Sequence, residues 1–341
     1  MCTEGKTDIN SLFREDTTTM RQIKYLSPTS IALWERDRTE FYLRYCAENR
    51  PPKIPQTHPM AIGSAFDAFV KNYIVGALLG STPAQFEIEA IFEQQVESQN
   101  RDWALLHGER LFNAYQASGA LADLMLELSQ AITEPRFEFE IESRIPHERH
   151  IDGIPLLGKP DAHAKLKGGH TLTIDWKVNG YCSNSPVSPK KGYIKERPSG
   201  KSHRDCQTMM IGGIPVNIAQ KLEDVDKDFA TQLCIYMWVL GEVVPTGSIA
   251  GIEQVCCTGH EQTLGTRFAS HRMKIGHPFQ LSLLDRIATI WDYIQRGWIF
   301  TELSLQDSQT RGAMLDLQYL AYLEASTPQD KWFQDITRGG Y

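Results

Sequence analysis

Gly158-Lys159-Pro160-Asp161 and Ile174-Asp175-Trp176-Lys177 flank a glycine pair at 168 and 169, and how these two segments pair decides how the chain folds. Leu172, Ile174 and Trp176 alternate with Thr171, Thr173, Asp175 and Lys177, which predicts a strand that buries the first set and shares a polar face among the second. Asp175 and Lys177 therefore point the same way. A three-residue loop of Lys167, Gly168 and Gly169 pairs Leu166 with His170, and so Asp161 directly with Asp175. Like charges opposite one another on a sheet are unfavourable, by roughly 0.2–1 kcal/mol, so this register calls for a cation. Mg²⁺, a hard ion held by one or two carboxylates with waters and phosphate oxygens, suits the donor set. The alternative is a surface Asp and Lys pair on a strand, a nearly neutral decoration.

Pro160-Asp161 followed by Asp175-x-Lys177 resembles the namesake motif of the PD-(D/E)XK nuclease superfamily, with Asp at the position that takes Asp or Glu. Downstream, Gln232-Leu233-Cys234-Ile235-Tyr236 resembles the Gln-x-x-x-Tyr signature of its RecB-type exonuclease branch, and i, i+4 spacing sets both side chains on one helix face. Upstream, Gly63-Ser64-Ala65-Phe66-Asp67 resembles that branch's Gly-x-x-x-His helix, with Asp67 in place of His. Leu26 to Ile31 and Phe41 to Tyr45 are similar to its opening helix pair. The matches span about residues 25–245 in family order. The resemblance implies an α/β fold with a PD-(D/E)XK restriction-endonuclease-like core, in which helices flank a mixed central sheet and the N-terminal region is helical. It also implies a phosphodiesterase, usually an exonuclease acting on DNA ends in phage or bacterial recombination, repair or replication.

Asp161 and Asp175 are then the expected ligands of Mg²⁺ or Mn²⁺, joined by the backbone carbonyl of Trp176 and, through the resemblance, by Asp67. Lys177 would orient or deprotonate the attacking water and stabilise charge developing at phosphorus. Through the resemblance, Gln232 and Tyr236 hold Lys177 or the substrate phosphate. Some relatives carry a four-cysteine iron–sulfur cluster, with one ligand in the N-terminal helices and three near the C-terminus. Here Asp37-Arg38 stands where the family has Cys-Pro, and no cysteine follows Cys257, so no iron–sulfur cluster is expected.

The chain has 341 residues, 41% of them hydrophobic, enough for a sizeable core. Its seven cysteines show no metal-type spacing beyond the adjacent Cys256 and Cys257, which suits reduced thiols in a cytoplasm; the resemblance implies that of a bacterium or a phage-infected host. Read from the sequence alone, no apolar run is long enough to span a bilayer, so no membrane partner is expected. The net charge of −7 hides a basic stretch: Lys190, Lys191, Lys195, Arg197, Lys201 and Arg204 face only Glu196 and Asp205 between Pro186 and Cys206. Such cations directly after the metal strand collect DNA phosphates, unless the stretch is simply a solvated linker. Tyr193 within it either stacks on a base or packs locally. Arg267, His271 and Arg272 form a second basic group, on the DNA backbone or on a structural face.

Elsewhere the pattern predicts a first helix starting at Pro28 with Ser27 as cap, its buried stripe running through Ile31, Trp34, Phe41 and Tyr45. Further helices are expected over 60–79, 228–240 and 283–299, and a strand over 249–256. Phe137, Phe139 and Ile141 alternate with Glu138, Glu140 and Glu142, giving a strand with an exposed acidic face or one lending Glu140 or Glu142 to the metal. The chain so divides into a disordered tail (1–20), a helical N-terminal part (21–135), the core sheet with its motif helix (136–260) and a helical extension (261–341). There is no GxxxxGK[ST] phosphate loop, so a helicase, recombinase or single-strand-binding partner would be a separate protein. Three other readings stay open: a catalytically silent nucleic-acid-binding protein on the same fold, a structural Ca²⁺ site, and a structure-specific endonuclease or resolvase.

Overall fold

A computed structural model describes residues 21–47, 50–182, 206–211, 214–219, 227–242, 248–258 and 264–296. The expected tail, the basic stretch with Tyr193, and residues 297–341 lie outside the described residues. Ser27 and Ser30 cap the first helix reciprocally, with Ser27 N–H donating to Ser30 Oγ at 2.8 Å and Ser30 N–H to Ser27 Oγ at 3.3 Å. This helix does not continue to Tyr45. Asp37 ends α1 (Pro28–Arg36) and caps α2 (Arg38–Phe41), accepting from Glu40 N–H at 3.0 Å, and a π-helical turn follows over Tyr42–Cys46.

The helical region continues through α3 (His58–Leu79), α4 (Ile88–Gln95), α5 (Arg101–Ala117) and α6 (Ala120–Leu128). By length and composition α3 could cross a membrane, contrary to the expectation that no such run exists. Its Ile62, Phe66, Val70 and Ile74 are nevertheless buried in the domain, and Asp67 and Lys71 sit in its middle, as in a core helix. A Cβ at Gly108 of α5 would lie 2.6 Å from Ala65, so glycine there lets the two helices meet backbone to side chain.

After the short β1 (Arg136–Phe137), β2 (Ile141–His147) and β3 (His150–Gly158) form a separate antiparallel hairpin. Then come β4 (Ala162–Lys165), β5 (Thr171–Asn179), β6 (Cys206–Ile211), β7 (Ile214–Ala219), α7 (Lys227–Val239), β8 (Ser248–Thr258), β9 (Gly265–Met273) and α8 (His277–Gln295). Among the described residues, seven strands make the main sheet in the order β1-β4-β5-β8-β9-β7-β6. It is mixed: β5 runs parallel to β8 and β7 to β9, while the other neighbours are antiparallel. The parallel β5/β8 pair needs a crossover, and α7 lies on it. Leu233, Ile235 and Trp238 of α7 pack with α1, α8 and the β2–β3 hairpin on one face; α3, α5 and α6 bury Leu172, Ile174 and Ile249 on the other. The fold is thus α/β, a mixed sheet flanked by helices with a helical N-terminal region.

The pairing of β4 with β5 follows the expected register, Ala162 with Ile174 through Lys165 with Thr171, and Leu166 N–H donates to His170 O at 2.7 Å. Carried one step further, it places Asp161 opposite Asp175. The middle of the polar face of β5 is buried. Thr173 and Asp175 are 0% and 3% exposed, beneath α7. Two further expectations are corrected. The strand expected across 137–142 breaks at Glu138, whose φ of 48° is rarely adopted by a non-glycine residue; Glu140 and Glu142 are exposed, as the reading of an exposed acidic face has it, and neither reaches the metal motif. The sheet also does not stop at residue 260, because Gly265–Met273 hydrogen-bonds along β8.

Candidate metal centre

Gly158 ends β3 just before the Pro160-Asp161 pair, and a Cβ there would lie 2.7 Å from Val239 and 3.1 Å from the Tyr236 ring. The missing side chain lets α7 settle close over the hairpin. From α7, Gln232 Nε2 donates to Asp175 Oδ1 at 3.0 Å and to the Tyr236 hydroxyl at 2.7 Å. Gln232 therefore holds Asp175 and not Lys177, which was one of the two partners the resemblance implied, the other being the substrate phosphate. Lys177, two residues along the same strand face, places Nζ 2.6 Å from Asp175 Oδ2 and over the Phe229 ring. Asp161 is fixed by the backbone: Trp176 N–H donates to its Oδ2 at 2.9 Å.

From the other side α3 contributes Asp67 and, one turn on, Lys71. The Lys71 side chain is fully buried and its Nζ lies 2.5 Å from Asp67 Oδ2, 3.1 Å from Asp161 Oδ1 and against Glu138 Oε1. Glu138 reaches this point because of its left-handed backbone, and Lys159 pairs with its second oxygen at 2.5 Å. Asp67, Asp161, Asp175, Lys177, Gln232 and Tyr236, with Trp176, line one cavity of about 340 Å³ that Glu138 and Lys159 also face. All the expected site residues outside the basic stretch thus meet in one place.

The electrostatics follow from burial opposed by pairing. Burial pushes the Asp67 carboxyl well above the usual range, against the pull of Lys71. Burial pushes Asp175 up to about 6, partly offset by Lys177 and reinforced by Asp161. Burial would raise Glu138 too, yet Lys71 and Lys159 bring it down to about 2. For Lys71 and Lys177, burial works toward neutrality, but the carboxylates of Asp161, Asp67 and Glu138 in one case and of Asp175 in the other raise both above the ordinary lysine value. Both ammonium groups are charged at neutral pH.

Asp67, Glu138 and Asp161 each offer an oxygen, all within 4.8 Å of one another, so the group could hold a metal ion. Asp67 Oδ1 is buried without a hydrogen bond, and Asp175 Oδ2 has its ion-pair contact with Lys177 but likewise no hydrogen bond. Hard carboxylate donors with unsatisfied oxygens match a hard divalent cation. Asp175 makes such binding pH-dependent. Its folded pKa of about 6 lies above the ordinary 3.8, so the folded state keeps a proton there between the two values and this group's contribution to stability falls as pH rises from about 4 to 6. A divalent ion competes with that proton. Mn²⁺ binding followed by titration is expected to be about tenfold weaker at pH 5 than at pH 7, the loss for one displaced proton; equal affinity at both would show that Asp175 is not a ligand.

Lys71, Glu138 and Lys159 escape a sequence reading, although Lys71 carries a signal: it stands at i+4 from Asp67 on an apolar helix, where a buried charge needs a partner. The second basic group is not a DNA surface as far as Arg272 and His271 go. Arg272 is buried, with Nη2 at 2.6 Å from Glu127 and 2.7 Å from Glu253, and His271 Nε2 lies 3.1 Å from Gln254 Oε1. The cations at 190, 191, 195, 197, 201 and 204 lie outside the described residues.

Neither a family model nor a curated protein matches the chain. Among solved structures it is similar to a protein from Eubacterium rectale described as a "putative exonuclease", with 10% identity, a TM-score of 0.40, and coverage of 90% of this chain and 94% of that one. It is also similar to a protein designated SSO0001, with 11% identity, a TM-score of 0.24, and coverage of 81% and 96% respectively. Both likenesses are too distant to transfer a fold or a function.

Proposed function

We propose that this protein is a metal-dependent nuclease that hydrolyses DNA phosphodiester bonds, acting as an exonuclease on ends. One observation supports this reading above the others: Asp161 and Asp175 from the hairpin, Lys177 from the same strand, and Gln232 and Tyr236 from α7 all face one cavity. Asp161 and Asp175, with Asp67, Glu138 and the Trp176 carbonyl, are the groups that would hold Mg²⁺ or Mn²⁺. When bound, such an ion polarises the scissile phosphoryl group and acidifies the attacking water.

The chain's own residues do the rest. Lys177, held charged by Asp175, is poorly suited to accept a proton and well suited to stabilise negative charge at phosphorus and orient the attacking water. The Gln232 amide locks the Asp175 carboxylate in one orientation, and its second contact aligns the Tyr236 hydroxyl beside it. DNA is the partner, and any helicase, recombinase or single-strand-binding protein acts as a separate molecule, in the cytoplasm of a bacterium or a phage-infected host.

End-labelled linear DNA and closed circular DNA, each incubated with Mg²⁺, Mn²⁺ or EDTA, test the reading. Metal-dependent release of label from linear DNA with intact circles is expected. Nicked circles would make it an endonuclease, and no cleavage by a well-folded protein would favour a silent binding role.

The stretch from 186 to 206 supplies another expectation. Changing Lys190, Lys191 and Lys195 to Gln should weaken DNA binding regardless of sequence, and each lost phosphate contact should lower the slope of log K against log salt by about 0.7–0.9. Fluorescence anisotropy over a salt series reads this directly. An unchanged slope would make the stretch a surface excursion.

A further inference from the structure

Lys71 is a member of the cluster that the proposed chemistry leaves without a task. It is fully buried on α3, and its ammonium is bracketed by Asp67, Glu138 and Asp161 from three separate parts of the chain. The same three carboxylates are those whose oxygens lie within 4.8 Å of one another. Glu138 adopts a left-handed backbone to take part, so the fold accepts local strain to complete this set. A lysine serving only to neutralise charge at a surface would not require that.

We propose that Lys71 is a built-in cation of this centre, its ammonium occupying the space between Asp67, Glu138 and Asp161 that a divalent metal would take, so that metal enters only by displacing it. This inference rests on the reading of the cavity as a metal site. Around the cavity, the carboxylates of Asp67, Glu138, Asp161 and Asp175 face the ammonium groups of Lys71, Lys159 and Lys177, leaving little surplus negative charge to draw in a divalent ion. Lys71 would keep the acidic residues assembled without metal, where unpaired like charges would push them apart. Its departure is the cost that sets metal affinity.

The test compares the full-length wild-type protein with Lys71→Gln by Mn²⁺ titration and thermal melting, in EDTA and in Mn²⁺. Lys71→Gln should bind Mn²⁺ on the order of tenfold more tightly than wild type, because no internal cation competes. It should melt at a lower temperature than wild type in EDTA, and Mn²⁺ should raise its melting temperature more than that of wild type. Equal or weaker Mn²⁺ binding by the variant overturns the inference while leaving the metal reading intact. Failure of both proteins to bind Mn²⁺ overturns the metal reading, and the role of Lys71 falls with it. Should the variant not fold, the wild-type crystal structure with Mn²⁺ decides: Lys71 Nζ should have left Asp67 and Asp161, and Mn²⁺ bound in the cavity beside an unmoved Lys71 would overturn the proposal.

Discussion

Asp175→Ala should abolish DNA cleavage, with a loss of about 10³-fold or more, since removing a metal ligand forfeits several kcal/mol of transition-state stabilisation. Asp161→Ala should do the same by a partly different route. Asp175 is the residue that Gln232 and Lys177 both hold, so its loss disconnects α7 and Lys177 from the centre. Asp161 accepts the Trp176 N–H and contacts Lys71, so its loss also leaves a backbone donor and a buried ammonium short of a partner. Asp161→Ala should therefore lower the melting temperature as well as the rate. Single-turnover cleavage and thermal melting of the same preparations separate the two effects, and near-normal cleavage by Asp175→Ala would place the chemistry elsewhere.

Lys177→Met should cost roughly 10²–10⁴-fold in cleavage rate, the range for a positioned electrostatic or proton-handling group. Met keeps most of the side-chain volume beside Phe229 while removing the charge. DNA affinity should change far less, because one ammonium among many contributes only a small part of phosphate attraction. Parallel measurements of single-turnover rate and equilibrium binding decide this, and equal losses in both would make Lys177 a binding residue.

The hairpin was legible because its signals are local. The glycines at 168 and 169, both with positive φ, fix a short loop, and alternation along β5 then fixes the register that brings Asp161 to Asp175. The i, i+4 spacing of Gln232 and Tyr236 was equally readable, since a helix face needs no tertiary information. What Gln232 bonds to was not, because that depends on how closely α7 approaches at Gly158. Glu138 was hidden by a pattern that reads as one continuous strand, and nothing in a glutamate announces a positive φ. Arg272 looked like a surface cation because its partners, Glu127 on α6 and Glu253 on β8, come near only through the folded sheet. Lys71 illustrates both sides: its spacing from Asp67 was visible, but its meeting with Glu138 and Asp161 depends on contacts 67 and 90 residues away in the chain.

The central claim is that the carboxylates facing this cavity form a divalent-metal centre. Anomalous diffraction from crystals of the wild-type protein grown with Mn²⁺ tests it most directly. The account predicts a peak in the cavity within bonding distance of Asp161 and Asp175, with Asp67 or Glu138 completing the protein ligands. No peak in the cavity at saturating Mn²⁺, or a peak bound only by other residues, would contradict it.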